Sequence, residues 1–201
     1  MQAQMESRTP SSLVFAVLLV LAALIVNVGL SLINTALNLP FFLDSIGTAV
    51  VAAVAGLAPA LVVAIGTNML FEVTYGFTLA HLPFAVCGIA TVFIVRAFVR
   101  TGNFRNVGNV LVASLAVAMA NAILGGIVAA FLFGGVTGVG IDFLVTGLVA
   151  SGQSLLTASF WARVPANIID KTIAVFVAYF SFAPLRRLGH RLSRDRVRRA
   201  H

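Results

Sequence analysis

The sequence predicts an all-α membrane protein, a bundle of six transmembrane helices with both termini in the cytoplasm. Three observations predict it. The 201 residues are 60% hydrophobic and 9% charged, with a mean hydropathy of +1.06, where a soluble domain carries roughly 25% charge. Uncharged runs cover 9–43, 45–71, 73–95, 106–141 and 143–162, and several exceed the roughly 18 apolar residues that mark a membrane-spanning helix. The basic residues gather at Arg96, Arg100 and Arg105 in the interior and at Arg186, Arg187, Arg191, Arg194, Arg196, Arg198 and Arg199 in the tail, as cytoplasmic ends facing anionic lipid do. The net charge of +7 is therefore a topology signal and not a nucleic-acid surface, which would need a folded basic domain.

A cytoplasmic N-terminus at 1–12 precedes a single membrane domain at 13–184 and a basic cytoplasmic tail at 185–201. The first span, 13–35, is an apolar run longer than a signal-peptide core, with no small-x-small cleavage site after it. A turn at Asn38-Leu39-Pro40 leads into 41–75. There Gly56-Leu57-Ala58-Pro59 either divides the stretch into spans 41–55 and 59–75 or kinks one long helix. Span 78–99 ends in the Arg96 to Arg105 group, span 107–133 ends at Gly134-Gly135, and span 164–184 enters at Pro165 and leaves at Pro184. Orientation favours the hairpin at 41–75. With Arg8 and the Arg96 to Arg105 group both inside, an odd number of spans cannot join them, and four can. By the same rule 141–160 is an outer-surface or re-entrant segment, since a further crossing would put the basic tail outside.

Polar groups at membrane depth are costly, so each is a candidate for function. Asp44 and Glu72 lie at the outer ends of the hairpin, and Asn68 precedes Glu72 by four residues on the same helix face. Tyr75 and His81 follow. Asn121 sits in the middle of the fifth span, and Asn167, Asp170 and Lys171 in the first half of the sixth. Together they point to a polar pocket open to the outside. Each also has a structural reading: Asp44 as an N-cap, Asn68 and Asn121 as interhelical glue, His81 as an interfacial residue, Lys171 as a snorkelling anchor and not an anion site. Asp170 and Lys171, about 100° apart on a helix, need not form one ion pair. Trp161 with Arg163 reads as an interfacial belt. No catalytic or metal-binding constellation stands out: Gly152-Gln153-Ser154 lacks the far glycine of a nucleophile elbow, the histidines are scattered, Cys87 is alone, and there is no phosphate-binding glycine loop. The expectation is a protein that is not an enzyme, needs no cofactor, and takes any energy from a partner.

The run Leu39-Pro40-Phe41-Phe42-Leu43-Asp44-Ser45-Ile46-Gly47-Thr48, the small-residue helix to Gly56-Leu57-Ala58-Pro59-Ala60, and Ile65-Gly66-Thr67-Asn68 resemble the second and third helices of the substrate-binding (S) components of energy-coupling factor (ECF) transporters. Val164-Pro165-Ala166-Asn167-Ile168-Ile169-Asp170-Lys171 resembles the start of their sixth helix, and the similarity covers most of 13–185. The resemblance implies a multi-pass subunit that captures a water-soluble vitamin or related micronutrient at the outer face of a bacterial cytoplasmic membrane. It implies as partners a transmembrane coupling subunit and two ABC-type ATPases, whose ATP hydrolysis drives release inward. The loop between helices one and two, here about Asn34 to Asp44, would gate the pocket. The Ala-x-x-x-Ala docking pattern of the family's first helix has a counterpart in Ser12-x-x-x-Ala16, a small-x-x-x-small variant that allows close helix approach.

A short, Gly/Pro-interrupted segment such as 41–75 is also where a transporter binding site is expected on physical grounds. The expected substrate-binding residues are Asp44, Asn68, Glu72, His81, Asn121, Asn167 and Lys171. One cation with one or two acids suits a zwitterionic or weakly charged heterocycle. Two other classes compete. A membrane-embedded sensory domain would need a separate output partner, because 185–201 is too short for one. An autonomous secondary transporter would show an internal repeat and midplane carboxylates, and the two halves do not match.

Overall fold

The computed structural model describes residues 13–138 and 140–199, the side chains of 193–199 left aside, so Ser12 and the rest of 1–12 lie outside the described residues. Among the described residues the chain forms seven α-helices and no strand: α1 Leu13–Ala36, α2 Ile46–Val54, α3 Leu57–Tyr75, α4 Ala85–Arg100, α5 Val107–Phe133, α6 Asp142–Ala150 and α7 Leu155–Arg199. Short 3-10 turns at Leu82–Phe84 and Asn103–Arg105 lead into α4 and α5. Five helices, α1, α3, α4 with its leading turn, α5 and α7, are long and apolar enough to cross a membrane. Their outward faces carry large apolar side chains, Leu13, Leu18, Ile25, Phe131 and Phe180 among them, a surface that hydrocarbon covers and water would not. The chain is a helical, membrane-embedded protein. The remaining helices, α2 and α6, have nine residues each, about 14 Å of rise against a hydrocarbon core of about 30 Å.

Three boundaries depart from the sequence reading. The expected span 41–55 is helical only from Ile46, and 41–45 is non-helical chain with Leu43 in the left-handed region at φ 54°. The break that follows is a true turn. Gly56 takes φ 102°, open to glycine alone without strain, and Pro59 falls in the first turn of α3, where an amide proton would have no helical partner. The expected last span 164–184 is the middle of α7, a single helix of 45 residues with Pro165 and Pro184 inside it. Proline removes one intrahelical bond but does not end a helix whose neighbours hold it in a bundle, so it is a weak boundary marker in membranes. The segment 141–160 accordingly divides into α6 and the first turns of α7.

The short α2 is the hub of the packing. Gly47, Thr48, Ala49, Val51, Ala52 and Ala53 are all buried, and α2 touches α1, α3, α4 and α7. Small residues make this possible: a Cβ on Gly47 would stand 2.7 Å from the Cα of Ala23, and one on Gly88 3.1 Å from the Cβ of Ala64. Backbones therefore meet almost directly, the usual basis of helix association where hydrophobic drive is absent. Asn27, fully buried in α1, fastens three helices at one level. Its amide donates to Thr48 Oγ1 and Thr67 Oγ1, each at 3.0 Å, and its oxygen accepts from the Gly47 N–H at 2.7 Å.

The two ends of the bundle differ. At one end Arg96 Nη1 donates to the Ala52 carbonyl at 3.1 Å, Phe104 packs edge-on against Tyr179 and Phe182, and Gly189 lies against Phe15. At the other, the chain at 37–45, the 76–84 loop and residues 134–138 come together around a cavity, with Gly140 against Leu39.

Candidate functional site

An open cavity of about 1020 Å³, the solvent space at its mouth included, enters the bundle at that second end. Six of the expected site residues line it: Asp44, Asn68, His81, Asn121, Asn167 and Lys171. They come from the 41–45 chain, α3, the 76–84 loop, α5 and α7. Glu72 is not among the lining residues.

The floor is an ion-paired group. Lys171 Nζ donates to Asp170 Oδ2 at 2.6 Å, Ser45 Oγ at 2.8 Å and Asp44 Oδ1 at 3.1 Å, and lies 5.6 Å from the centre of the Phe42 ring. Asp170 Oδ1 accepts the Leu43 N–H at 3.1 Å. Adjacent positions on a helix do form one pair here, because the long lysine side chain folds back and both side chains turn toward the same piece of non-helical chain. The arrangement holds 43–45 against α7. Asp44, about a third exposed, faces the cavity, while Asp170 has no exposed surface.

Above the floor stand three carboxamides, each oriented by its own helix. Asn68 donates to the Ala64 carbonyl at 3.0 Å, Asn121 to Val117 at 3.0 Å, and Asn167 to Arg163 at 2.9 Å, in every case one turn back. Asn121 also donates to Thr91 Oγ1 at 3.0 Å, which joins α5 to α4. Their side-chain oxygens accept no hydrogen bond among the described residues, so the cavity wall presents carbonyl acceptors. On the far side Asn34 of α1 donates to the Phe41 carbonyl at 2.8 Å, securing the chain that leaves α1, and its buried oxygen has no partner.

The mouth is built around Glu72. Its carboxylate accepts the backbone N–H groups of Leu79 at 2.7 Å, His81 at 2.6 Å and Leu82 at 2.8 Å. A carboxylate so occupied positions the 76–82 loop and has little capacity left for a ligand. The loop needs such a clamp, since Phe77 and Leu79 both sit at positive φ, a costly place for bulky residues. His81, delivered to the cavity by that loop, stacks on Tyr75 at 4.9 Å and lies beside Phe71. Burial holds its pKa below the ordinary 6.5, against the opposing pull of Glu72, so at neutral pH the imidazole is uncharged. Its buried Nδ1 is 3.9 Å from Glu72 Oε1 and has no hydrogen-bond partner.

Several lining residues were not expected from the sequence, Asn34, Thr48 and above all Arg163. Arg163 is no interfacial belt residue: it is 1% exposed, whereas Trp161 is 54% exposed. The signal was present in the spacing. Arg163, Asn167 and Lys171 recur every fourth residue, on one face of α7. Ala16 lies in the first turn of α1 and is half-buried, and its expected companion Ser12 falls outside the described residues. Among the described residues no three of His, Cys, Asp and Glu gather into a metal site. Comparison with protein-family models, curated proteins and solved structures finds no match for this chain.

Proposed function

We propose that this protein is the substrate-capture subunit of an ECF-type ABC importer, binding a water-soluble vitamin or related micronutrient from the outer side of a bacterial cytoplasmic membrane. The observation that carries the reading is the cavity: a chamber with oriented amides and an ion-paired floor among aromatic and small apolar side chains, inside an otherwise Ala- and Val-packed membrane bundle. Amide oxygens facing a cavity in a membrane bundle and accepting no hydrogen bond are hard to account for without a ligand. The subunit binds and presents its substrate and performs no chemistry. ATP hydrolysis belongs to two ABC-type ATPases, joined through a transmembrane coupling subunit that packs near Ala16.

The topology that suits this role has six crossings with both termini in the cytoplasm. The five long helices alone would leave three crossings between Arg8 and the Arg96 to Arg105 group and so put them on opposite sides. The 40–45 chain followed by α2 makes the sixth: six residues at up to about 3.3 Å and nine at about 1.5 Å reach across a core of about 30 Å. With it, the basic groups lie together inside and the cavity opens outward.

Affinity purification from native-like membranes tests the proposal. Co-purifying ATPase subunits, and substrate uptake into proteoliposomes only when the coupling module and ATP are supplied, are the expected results. ATP-independent uptake by the chain alone would make it a secondary carrier, and a signalling protein in place of the ATPases would make it a sensory domain.

A further inference from the structure

Resting on the reading of the cavity as a capture site, we infer that its substrate is an organic acid whose carboxylate is held by Arg163. Lys171, the cation that the sequence puts forward, is not available. Its three donors go to Asp170, Ser45 and Asp44, and two carboxylates already oppose its charge.

Arg163 is in a different position. Its guanidinium is buried in the cavity wall and makes only neutral contacts, Nη1 to the Ser159 carbonyl at 3.1 Å and Nη2 to Thr137 Oγ1 at 3.3 Å. Nε has no hydrogen-bond partner, and no carboxylate of the described residues forms an ion pair with the group. Asp142, the acid whose field reaches it, is turned instead to the Thr137 N–H at 2.9 Å, the Gly138 N–H at 2.7 Å and the Thr137 hydroxyl at 3.2 Å. A buried guanidinium with no ion pair of its own, only the field of Asp142 to offset it, is costly. Its planar fork matches a carboxylate, which can accept from it twice.

Gly125 of α5 faces the arginine: a Cβ there would stand 3.8 Å from Nε and 3.6 Å from Cys87 Sγ, so a larger residue at 125 would press directly on this side of the guanidinium. One turn along α7, about 6 Å away, begins the row of unpaired amide oxygens, Asn167 and then Asn121 and Asn68. Those acceptors suit N–H donors on the body of the same molecule. The fit is thus to an acid carrying amide, ureide or ring N–H groups.

The test uses matched probes that differ at the acid group: biotin and biotinamide, pantothenate and pantothenol. Protein purified in detergent from cells grown in rich medium is titrated with each by calorimetry, and retained small molecules are identified by mass spectrometry. An acidic molecule is expected to bind about 10- to 100-fold more tightly than its neutral counterpart, the range for losing a charge-assisted hydrogen bond. Arg163→Gln should erase that preference by weakening the acid alone. Arg163→Lys, which keeps the charge without the planar fork, should retain part of the preference, so that a folding defect in one variant does not decide the matter. A retained molecule with no acidic group, equal binding of acid and neutral partner, or full acid affinity in monodisperse Arg163→Gln would overturn the inference and leave the capture reading standing. If no molecule is retained and no probe binds, the capture reading falls and takes this inference with it.

Discussion

Replacing Lys171 with methionine keeps the side chain's length and removes its charge, which strands the acids it serves. Asp170 decides the magnitude. It has no exposed surface, its Oδ2 lies 2.6 Å from the ammonium, and its other oxygen has a single backbone N–H. Removing one member of a buried ion pair costs about 3–5 kcal/mol, because the partner charge is left without compensation. Asp44 adds little to that figure, since it is about a third exposed and cavity water can take the place of the lost contact. A second substitution separates charge from shape. Asp170→Asn in the Lys171→Met background removes the stranded charge while its amide oxygen still accepts from Leu43, so the double variant should recover about half of the loss or more. Unfolding midpoints in detergent, followed by thermal scanning and by titration with SDS, measure both. A Lys171→Met protein within about 1 kcal/mol of the parent, or a double variant less stable than the single one, would refute the claim that this ammonium holds the acids and the 43–45 chain in place.

Three further outcomes are expected. Asn27→Leu leaves the Gly47 N–H and the Thr48 hydroxyl without their partner while Thr67 still donates to Val63 at 2.8 Å; at about 0.6–1.7 kcal/mol per interhelical bond in membranes, SDS unfolding should report a loss of about 2–4 kcal/mol, and an unchanged midpoint would show the three-helix knot to be passive. Gly47→Val drives its side chain into the backbone of Ala23 and should cost about 1–3 kcal/mol, whereas Gly66→Ala meets only the mobile end of Leu24 at 3.3 Å and should cost less. For His81 the folded pKa lies below the unfolded 6.5, so opening of the 76–84 loop takes up a proton. Loop stability is then complete above about pH 6.5 and is lost as the pH falls through the lowered folded value. Protection of the 76–84 amides, after correction for the intrinsic pH dependence of exchange, should fall between about pH 7.5 and about pH 5, and His81→Gln should abolish the difference; equal protection at both pH values in the parent would show that the imidazole is not buried in solution.

Hydropathy carried much of the fold, because a membrane-spanning helix needs a long uncharged run and α1, α3, α4 and α5 each have one. It failed where the chain is not a simple rod. Residues 41–43 are as apolar as a helix, and it is hydrogen bonds to Asn34 of α1 and to Asp170 and Lys171, more than a hundred positions away in sequence, that hold 41–45 in a non-helical path. Pro165 looked like an entry point because proline ends helices in water, yet α7 runs through it. In the cavity, polarity alone identified Asp44, Asn68, His81, Asn121, Asn167 and Lys171 as lining positions. It could not show that Glu72 is consumed by three backbone amides, since such bonds depend on the fold of a loop. Arg163 was hidden by its neighbour: a Trp two residues before an Arg is the usual pattern of an interface, and the fourfold spacing to Asn167 and Lys171 was the stronger clue. Asn27 and Asn34, seven residues apart on one face of α1, carried the same kind of clue.

The shortness of α2 has an electrostatic consequence. Peptide dipoles sum to roughly half an elementary positive charge at a helix N-terminus. Because α2 starts at Ile46, directly after Asp44 and Ser45, that positive end lies inside the bundle next to the group formed by Asp44, Asp170 and Lys171. Two acids there face one ammonium and a helix terminus, which brings the local charge closer to balance than the side chains alone. A second helix of full length would have carried its terminus to the surface, where ions screen it within about 10 Å. Starting it at depth fixes a positive pole beneath the cavity that does not titrate and that no side-chain substitution removes.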